Sequence, residues 1–477
     1  MNRTLNKALS RREFIRAGAA AGLGALFSSP GHPEDDAGAR LTTSVPKPPF
    51  SASEPSAGSP AAEKTLIEFK VPPIDPVRIG FVGVGGMGSA HVQNFLKIEG
   101  VEIKAVCDIV EEKVRRIQQW VVEAGQPEPA GYFRGEWDFL LLCERDDLDL
   151  VFTATPWEWH VPVCVAAMKA GKHVATEVPA AVTLDECWEL VETAEKTRRH
   201  CIMMENCCYD RPEMLCLNLV KKGLLGEIFH AEAGYLHDLR EVKFSGHGES
   251  LWRPQHSVRR NGNLYPTHGL GPVSQCMDIN RGDRFDYLVS MSSKSMGLNL
   301  YCARKFGPDS PQARQRYALG DVNVSLIHTA NGKIITLYHD TSSPRPYSRI
   351  HIVQGTRGIF EKYPDRVHIE DRSPSHEWEE LTAYYEEFDH PVWKQLEERS
   401  RGAGHGGMDF IEDYRLIEAL RQGRPLDMDV YDAAAWSVVS ALSEKSVAKR
   451  SRPVDFPDFT RGGWKTPRPL HVMKIET

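Results

Sequence analysis

At 477 residues with a formal net charge of −7, the chain can bury more than one sizeable core and lacks the basic excess that a nucleic-acid partner demands. No stretch reaches the roughly twenty consecutive apolar residues of a membrane span. The ten cysteines are scattered, with Cys207-Cys208 adjacent and no CxxC pair, so a structural zinc site is not expected and most read as buried thiols.

The chain opens on a targeting pattern. Ser10-Arg11-Arg12-Glu13-Phe14-Ile15-Arg16 precedes a short apolar run, Ala17–Phe27. A twin arginine ahead of a weakly apolar segment resembles a bacterial Tat export signal, assigned to residues 1–30. A periplasmic or secreted protein is therefore expected. Because that route carries folded chains, disulfides are not required. Residues 31–75 are rich in Pro, Ser, Gly and Ala without periodicity and read as a disordered linker.

From 76 to 208 strands and helices alternate, as a doubly wound parallel sheet requires. The apolar run Val77–Val82 leads into Gly83-Val84-Gly85-Gly86-Met87-Gly88, which opens a helix, and a second strand, Val101–Val106, ends at Asp108. Gly83 makes the tight turn, Gly85 admits a pyrophosphate to the backbone, and Gly88 lets helix approach strand. The helix N-terminus offers unpaired N–H groups to phosphate. Asp108 is placed to accept from ribose hydroxyls and to repel a 2′-phosphate. Ile109 and Val110 follow it, so NAD is expected over NADP. Leu148–Ala154, His173–Thr176 and Cys201–Met204 are further strands, with helices over His160–Ala170 and from the capping box Thr183-Leu184-Asp185-Glu186 to about Arg199. Ligands of such sheets bind outside the carboxyl ends of the strands. That rule directs Trp157, Glu158, Trp159, His160, Glu177, Val178 and Asn206 toward the nicotinamide half.

From 209 to 477 the character changes. After a helix over Arg211–Leu225, longer alternating strands are predicted at Glu227–Tyr235, Tyr287–Leu300, Val322–Thr329 and Lys333–His339. Asn331-Gly332 signals a two-residue hairpin; Tyr347–Gln354 and Gly358–Lys362 extend the sheet. The expected fold class is α/β, an N-terminal Rossmann dinucleotide-binding domain plus a C-terminal α+β domain with a mostly antiparallel open sheet. An exposed sheet face favours a homo-oligomer. Helices near Met408–Gln422 and Asp429–Ala448 brace the two parts, with no chemistry assigned to them.

The segment Gly171-Lys172-His173-Val174-Ala175-Thr176-Glu177-Val178-Pro179 resembles the glucose–fructose oxidoreductase/inositol dehydrogenase superfamily. Many members carry Glu-Lys-Pro at its end, with the lysine assisting hydride chemistry at a sugar hydroxyl. Val178 stands in its place here, which weighs against a simple dehydrogenase. Trp157-Glu158-Trp159-His160, Met204-Glu205-Asn206, Tyr235-Leu236-His237-Asp238-Leu239-Arg240, Arg259–Gly269 and Ser343–Arg349, in that order, resemble glycoside hydrolase family 109, which contains NAD-dependent α-N-acetylgalactosaminidases. The resemblance spans Val77 to Gly358. It implies NAD contacts at Gly86, Met87, Asp108, Trp157, Glu158, Trp159, His160, Glu177, Val178 and Asn206. It implies sugar contacts at Tyr235, Arg253, Tyr265, Pro266, Thr267, His268 and Tyr347.

Most glycosidases use two carboxylates. The resemblance instead implies that NAD oxidises the sugar at C3, acidifying the C2–H. A base removes that proton, the aglycone leaves C1, water adds, and the electrons return to C3. His268 is the candidate general base, since imidazole titrates nearest neutral pH, with Tyr265 relaying the C3 hydroxyl proton. Tyr235 and Tyr347 would stack on or hydrogen-bond the sugar, and Arg253 would orient an acetamido group or hydroxyl. Glu177 would position the nicotinamide ribose, and Trp157 and Trp159 would wall the cofactor. Each has a plainer rival: half-buried sheet tyrosines, a surface ion pair, a strand-end cap, core tryptophans, or a helix-capping His160. His237-Asp238 lacks a third ligand at metal spacing. Two other readings stand beside the glycosidase: an NAD-dependent sugar or cyclitol dehydrogenase, and a non-catalytic NAD-binding partner. In the first two the partner is a small-molecule glycoside or glycan terminus.

Overall fold

A computed structural model describes Thr65–Met473. The twin-arginine segment and the linker as far as residue 64 lie outside the described residues. Thr65–Asp75, assigned to the linker on composition, is packed instead. Leu66 is buried, its N–H bonds the Tyr431 hydroxyl at 2.8 Å, and Ile74 N–H bonds the Leu420 carbonyl. Apolar residues spaced along this stretch find a surface that only the folded body provides.

The first sheet is parallel and six-stranded, in the order β3-β2-β1-β4-β5-β6. Its elements are β1 (Val77–Val82), α1 (Gly86–Phe95), β2 (Val101–Cys107), α2 (Glu111–Glu123), β3 (Ala130–Tyr132), β4 (Leu150–Thr153), α3 (His160–Lys169), β5 (His173–Thr176), α4 (Leu184–Thr197) and β6 (Cys201–Met203). β1 is central, registered Val77 to Val101 on one side and Ile79 to Leu150 on the other. Five of its six residues are buried, as a strand covered on both faces requires. The order reverses between β1 and β4, so their carboxyl ends frame the crevice where such sheets bind ligands. The Thr183 capping box forms as expected, and Arg198, left-handed, ends α4.

The second sheet has eight strands: β7 (Ile228–Leu236), β8 (Phe285–Ser292), β9 (Asn323–Thr329), β10 (Ile334–Asp340), β11 (Ile352–Gly355), β12 (Gly358–Lys362), β13 (Asp365–Ile369) and β14 (Val454–Asp455). Only β7 and β10 run parallel; the other neighbours are antiparallel. With the Rossmann sheet beside it, the expected fold class holds. Helices α5 (Arg211–Lys221), α6 (Arg253–Arg259), α7 (Thr267–Cys276), α8 (Gly297–Phe306), α9 (Met408–Arg421), α10 (Val430–Ser437) and α11 (Val439–Ala448) complete the elements used below. Helices cover one face, while Phe229, Tyr287, Met291, Leu326 and Ile334 stay exposed. All ten cysteines are buried free thiols.

Several local expectations shift. The strand predicted over Tyr287–Leu300 stops at Ser292, and Gly297–Phe306 is helical. Its N-terminal N–H groups at Met296 and Gly297 are taken by the carboxylate of Asp321, a cap that local sequence does not reveal. The hairpin at Asn331-Gly332 is a three-residue loop, Thr329 and Lys333 closing it with only Gly332 at positive φ. The helix from Arg211 ends at Lys221 rather than Leu225, with Gly223 left-handed just beyond. Of Tyr347–Gln354, Ser348 makes a single bridge to Leu236 and only the end forms a strand, because Ile350 and His351 are left-handed. Asp429–Ala448 is two helices, the first capped by Asp429 itself.

Candidate active site

The glycine loop is shaped by close contacts at two positions and by open space at two others. Gly83 has φ +81°, and a Cβ on Gly88 would stand 2.0 Å from the Gly83 carbonyl oxygen. Both positions therefore exclude a side chain. Cβ atoms on Gly85 and Gly86 would meet nothing within 4 Å, so the loop faces free volume there. The N-cap of α1 is Gly85, with no side-chain cap and no acid in the first turn. Its N–H groups are left for an anion. Met87 is half-buried beside them. Asp108 Oδ2 accepts from Val84 N–H at 3.0 Å and Oδ1 from Val110 N–H at 2.9 Å. The carboxylate thus ties the loop to the end of β2 and keeps lone pairs for ribose hydroxyls. A dinucleotide fits this cradle. Lys113 at 3.5 Å from Asp108 and Arg116 on the Val84 carbonyl add two cations that the motif alone did not reveal.

The strand-end residues divide. Glu177 lies partly open at the end of β5: Oε1 accepts from His91 Nε2 at 2.8 Å, Oε2 from Val178 N–H at 3.0 Å. Asn206, after β6, donates to Asp409 Oδ1 at 2.7 Å. Trp157 stands among the aromatic rings of the second domain, 5.2 Å from Trp252 and 5.6 Å from Tyr265. Trp159 packs edge-on to Trp137. Glu158 faces His256 at 3.5 Å. The His160 ring is spent on the carbonyls of Pro179 and Thr155, at 2.8 and 2.9 Å, and the Val178 side chain is buried. That ring holds the turn after β4 against the turn after β5.

Helix α7 builds the sugar side. It holds Gly269, Gly271 and Pro272, poor helix formers that tertiary contact requires. A Cβ on Gly269 would lie 2.4 Å from the Gly234 nitrogen, so glycine lets α7 sit directly on β7. His268 and Tyr235, each next in sequence to one of these glycines, are thereby brought together. A Cβ on Gly271 would crowd Glu205. Glu205 is fully buried, and its Oε1 accepts from His268 Nδ1 at 2.7 Å. Burial pushes the Glu205 carboxyl up, but His268 outweighs it and holds the group below the usual carboxylate range. With Nδ1 donating, the neutral imidazole carries its lone pair on Nε2, 3.4 Å from the Tyr265 hydroxyl.

Around this dyad the rings form a continuous cluster. Tyr235 and Tyr265 are 4.4 Å apart, and the Tyr235 hydroxyl bonds His237 Nδ1 at 2.9 Å. Burial pushes both phenols up, so they remain protonated donors. The Arg253 guanidinium lies 4.8, 5.2 and 5.4 Å from the rings of Trp157, Trp252 and Tyr265, with Glu249 2.6 Å from its Nε. Tyr347, partly exposed, takes a hydrogen bond from Arg349 Nη1 at 3.0 Å. Arg349 is in turn fixed by Glu213 and Asp210. The structure thus gathers Tyr235, Arg253, Tyr265, His268 and Tyr347; the side chains of Pro266 and Thr267 are buried and start α7.

Sequence reading missed Glu205, His237, Trp252, Arg349 and the acids of α9. Asp409, Glu412 and Asp413 share one face of that helix, at spacings three and four, and all three are buried. A buried acidic stripe on a supposed bracing helix was the available signal. Asp409 also accepts from His405 Nδ1 at 2.7 Å, a half-exposed imidazole on a left-handed turn. Among the described residues, Glu205, Cys207 and His268 place potential metal ligands within 4.8 Å of one another. Here the carboxylate and imidazole are already hydrogen-bonded to each other.

Comparison with known proteins follows this division. Residues 77–205 match the oxidoreductase family with an NAD-binding Rossmann fold, and residues 209–466 match the glycosyl hydrolase 109 C-terminal domain. The chain belongs to glycosyl hydrolase family 109. A family 109 protein of Shewanella pealeana is 49% identical over 430 residues, covering 89% of this chain and 94% of that one. One of Solibacter usitatus is 51% identical over 417 residues, covering 87% and 95%. In fold, this family 109 protein is similar to levoglucosan dehydrogenase in complex with NADH and levoglucosan, at TM-score 0.60 and 20% identity over 80% of this chain and 100% of that one. An NAD-binding oxidoreductase from Klebsiella pneumoniae gives TM-score 0.63 at 17% identity, covering 80% of this chain and 99% of that one. The family 109 protein is an NAD-dependent enzyme, with its nicotinamide cofactor held by the Rossmann domain.

Proposed function

We propose that the protein hydrolyses terminal α-N-acetylgalactosaminides without net redox change. The observation that carries the reading is an imidazole aligned by a fully buried carboxylate, with its other nitrogen turned toward the protonated phenol of Tyr265. Bound NAD supplies a reversible two-electron oxidation of a ring carbinol. Gly83, Gly85, Gly86, Gly88 and Asp108 hold its pyrophosphate and adenosine ribose, and Glu177 and Asn206 border its other half.

The chain's own residues then manage protons. Glu205 fixes the tautomer, so His268 Nε2 is the acceptor for an acidified C–H and, once protonated, a donor for the return step. The Tyr265 O–H relays the hydroxyl proton lost in the oxidation, which does not stay on Nε2, because that single lone pair must be free for the C–H proton. The Tyr235–His237 pair offers a second imidazole for the second proton that leaves the ring. Tyr347, held from behind by Arg349, gives the sugar an aromatic face and a hydroxyl. Val178 stands where a lysine would favour plain dehydrogenation and puts no ammonium at that position. The twin arginine supports export to the periplasm, checked by cell fractionation.

The test is to incubate purified protein with a chromogenic α-N-acetylgalactosaminide and no added cofactor. Many turnovers of aglycone release without accumulation of reduced cofactor are expected. Stoichiometric reduction of NAD by a free sugar or cyclitol, with no aglycone released, would replace the reading by a dehydrogenase.

A further inference from the structure

His91 lies on α1, three residues beyond the glycine loop, with its side chain 2% exposed. Its Nδ1 is 2.8 and 3.0 Å from the two oxygens of Asp413, and its Nε2 is 2.8 Å from Glu177 Oε1. A carboxylate only accepts, and a neutral imidazole has one N–H. Were the ring neutral, one nitrogen would turn a lone pair against a carboxylate in a dry interior. With both acids ionised, both nitrogens donate; burial pushes the Asp413 carboxyl up, and His91 and then Asn94 pull it part of the way back down. Burial opposes the charge on the ring, but Asp413 and then Glu177 outweigh it and hold the imidazole well above its ordinary value. Asp413 takes a third bond from Asn94 at 2.9 Å, and the ring rests 4.5 Å from Phe152.

The neighbouring acids leave this clamp undisturbed. Burial, and then Asp413, pushes the Glu412 carboxyl well above its ordinary value, and Asp409 is engaged by Asn206 and His405. With Val178 N–H on its second oxygen, Glu177 has both oxygens fixed while its edge meets the crevice at the end of β5.

We propose that His91 and Asp413 are positioning residues of the cofactor site, a doubly bonded imidazolium and its counter-ion that fix Glu177 against the nicotinamide half of NAD. Helix α9 is thereby part of the cofactor site, acting through Asp413 on Glu177 and through Asp409 on Asn206. The bland rival is a buried ion pair that only ties α1 to α9.

The test uses the holoenzyme and reads how fast bound NAD exchanges with excess isotope-labelled NAD, together with melting temperature. Glu177→Gln, and His91→Gln combined with Asp413→Asn so that no charge is stranded, are each expected to speed release about tenfold, the effect of one lost charge-assisted hydrogen bond. The triple variant is expected to be no faster than either, because all three changes break one linkage. Nitrogen-15 shifts of the His91 ring are expected to show both nitrogens protonated at pH 8. Unchanged release with a lowered melting temperature would reduce His91 to bracing. Additive release rates, or a neutral ring, would equally overturn the proposal. Glu177→Gln leaves the α1–α9 pair intact and keeps the test open if the double variant does not fold.

Discussion

The two halves of the site are made of different material. The phosphate and adenosine end of the cofactor side is mostly backbone: a turn at Gly83, a close approach at Gly88, uncapped N–H groups at α1, and the one carboxylate of Asp108. The sugar side is made of side chains from β6, β7, α6, α7 and the loop after β10, with His268 at its centre. Backbone geometry is dictated by a few consecutive residues, and convergence of side chains by the whole fold. The first half therefore tolerates change around it and the second does not.

The largest effect is expected on the sugar side. His268→Ala removes the only base aligned by a buried carboxylate in the cluster, and turnover is expected to fall by about 10²–10⁴. Exchange of the sugar C2 proton with solvent, followed by NMR, should vanish with it. Persisting exchange would move the base to another residue, His237 or His405 first.

Next in size is Glu205→Gln. The amide keeps the volume but offers Nδ1 either an oxygen or an NH₂ group, so the tautomer is no longer fixed. A loss of about 10–10²-fold in kcat with little change in KM is expected, by analogy with other carboxylate-oriented histidines. An unchanged kcat would mean that the dyad is structural.

How much of this was legible in sequence follows the same contrast. Gly83–Gly88 and Asp108 lie within one strand–turn–helix–strand unit, and the bounds of β1, β2 and β5 were readable from short apolar runs. The Tyr-Pro-Thr-His run marked Tyr265 and His268 only through a family likeness. Glu205 was part of a quoted motif yet had no role, because its partner lies 63 residues away and the contact depends on Gly271 leaving room. Asp409 and Asp413 were overlooked because a charged helix near the chain end looks like a solvated brace until its acids prove buried. The helix at Gly297 was misread for the same reason, its cap being supplied by Asp321.

A smaller effect separates the glycines of the cofactor half. Gly88→Ala forces α1 away from the loop, with an expected loss of about 1–3 kcal/mol in stability and weaker NAD retention. Gly85→Ala meets only open space in the protein, so its melting temperature without cofactor should match wild type while NAD retention falls. Equal behaviour of the two variants would remove the distinction between a packing glycine and a phosphate-facing one.

The smallest effect is in pH. The His91 imidazole is raised in the folded state, so its contribution to stability is complete below about pH 6.5, the unfolded histidine value, and is lost as pH rises through the folded value. Glu205 is depressed, so its contribution is complete above about pH 4.5 and is lost as pH falls through the folded value. Melting temperature should therefore decline on both sides of a plateau, the alkaline limb belonging to the clamp behind the cofactor and the acid limb to the dyad behind the sugar. His91→Gln with Asp413→Asn should flatten the alkaline limb, and Glu205→Gln should flatten the acid limb while leaving the alkaline one in place. If Glu205→Gln altered the alkaline limb as well, the two halves would titrate as one network and the division between them would fail.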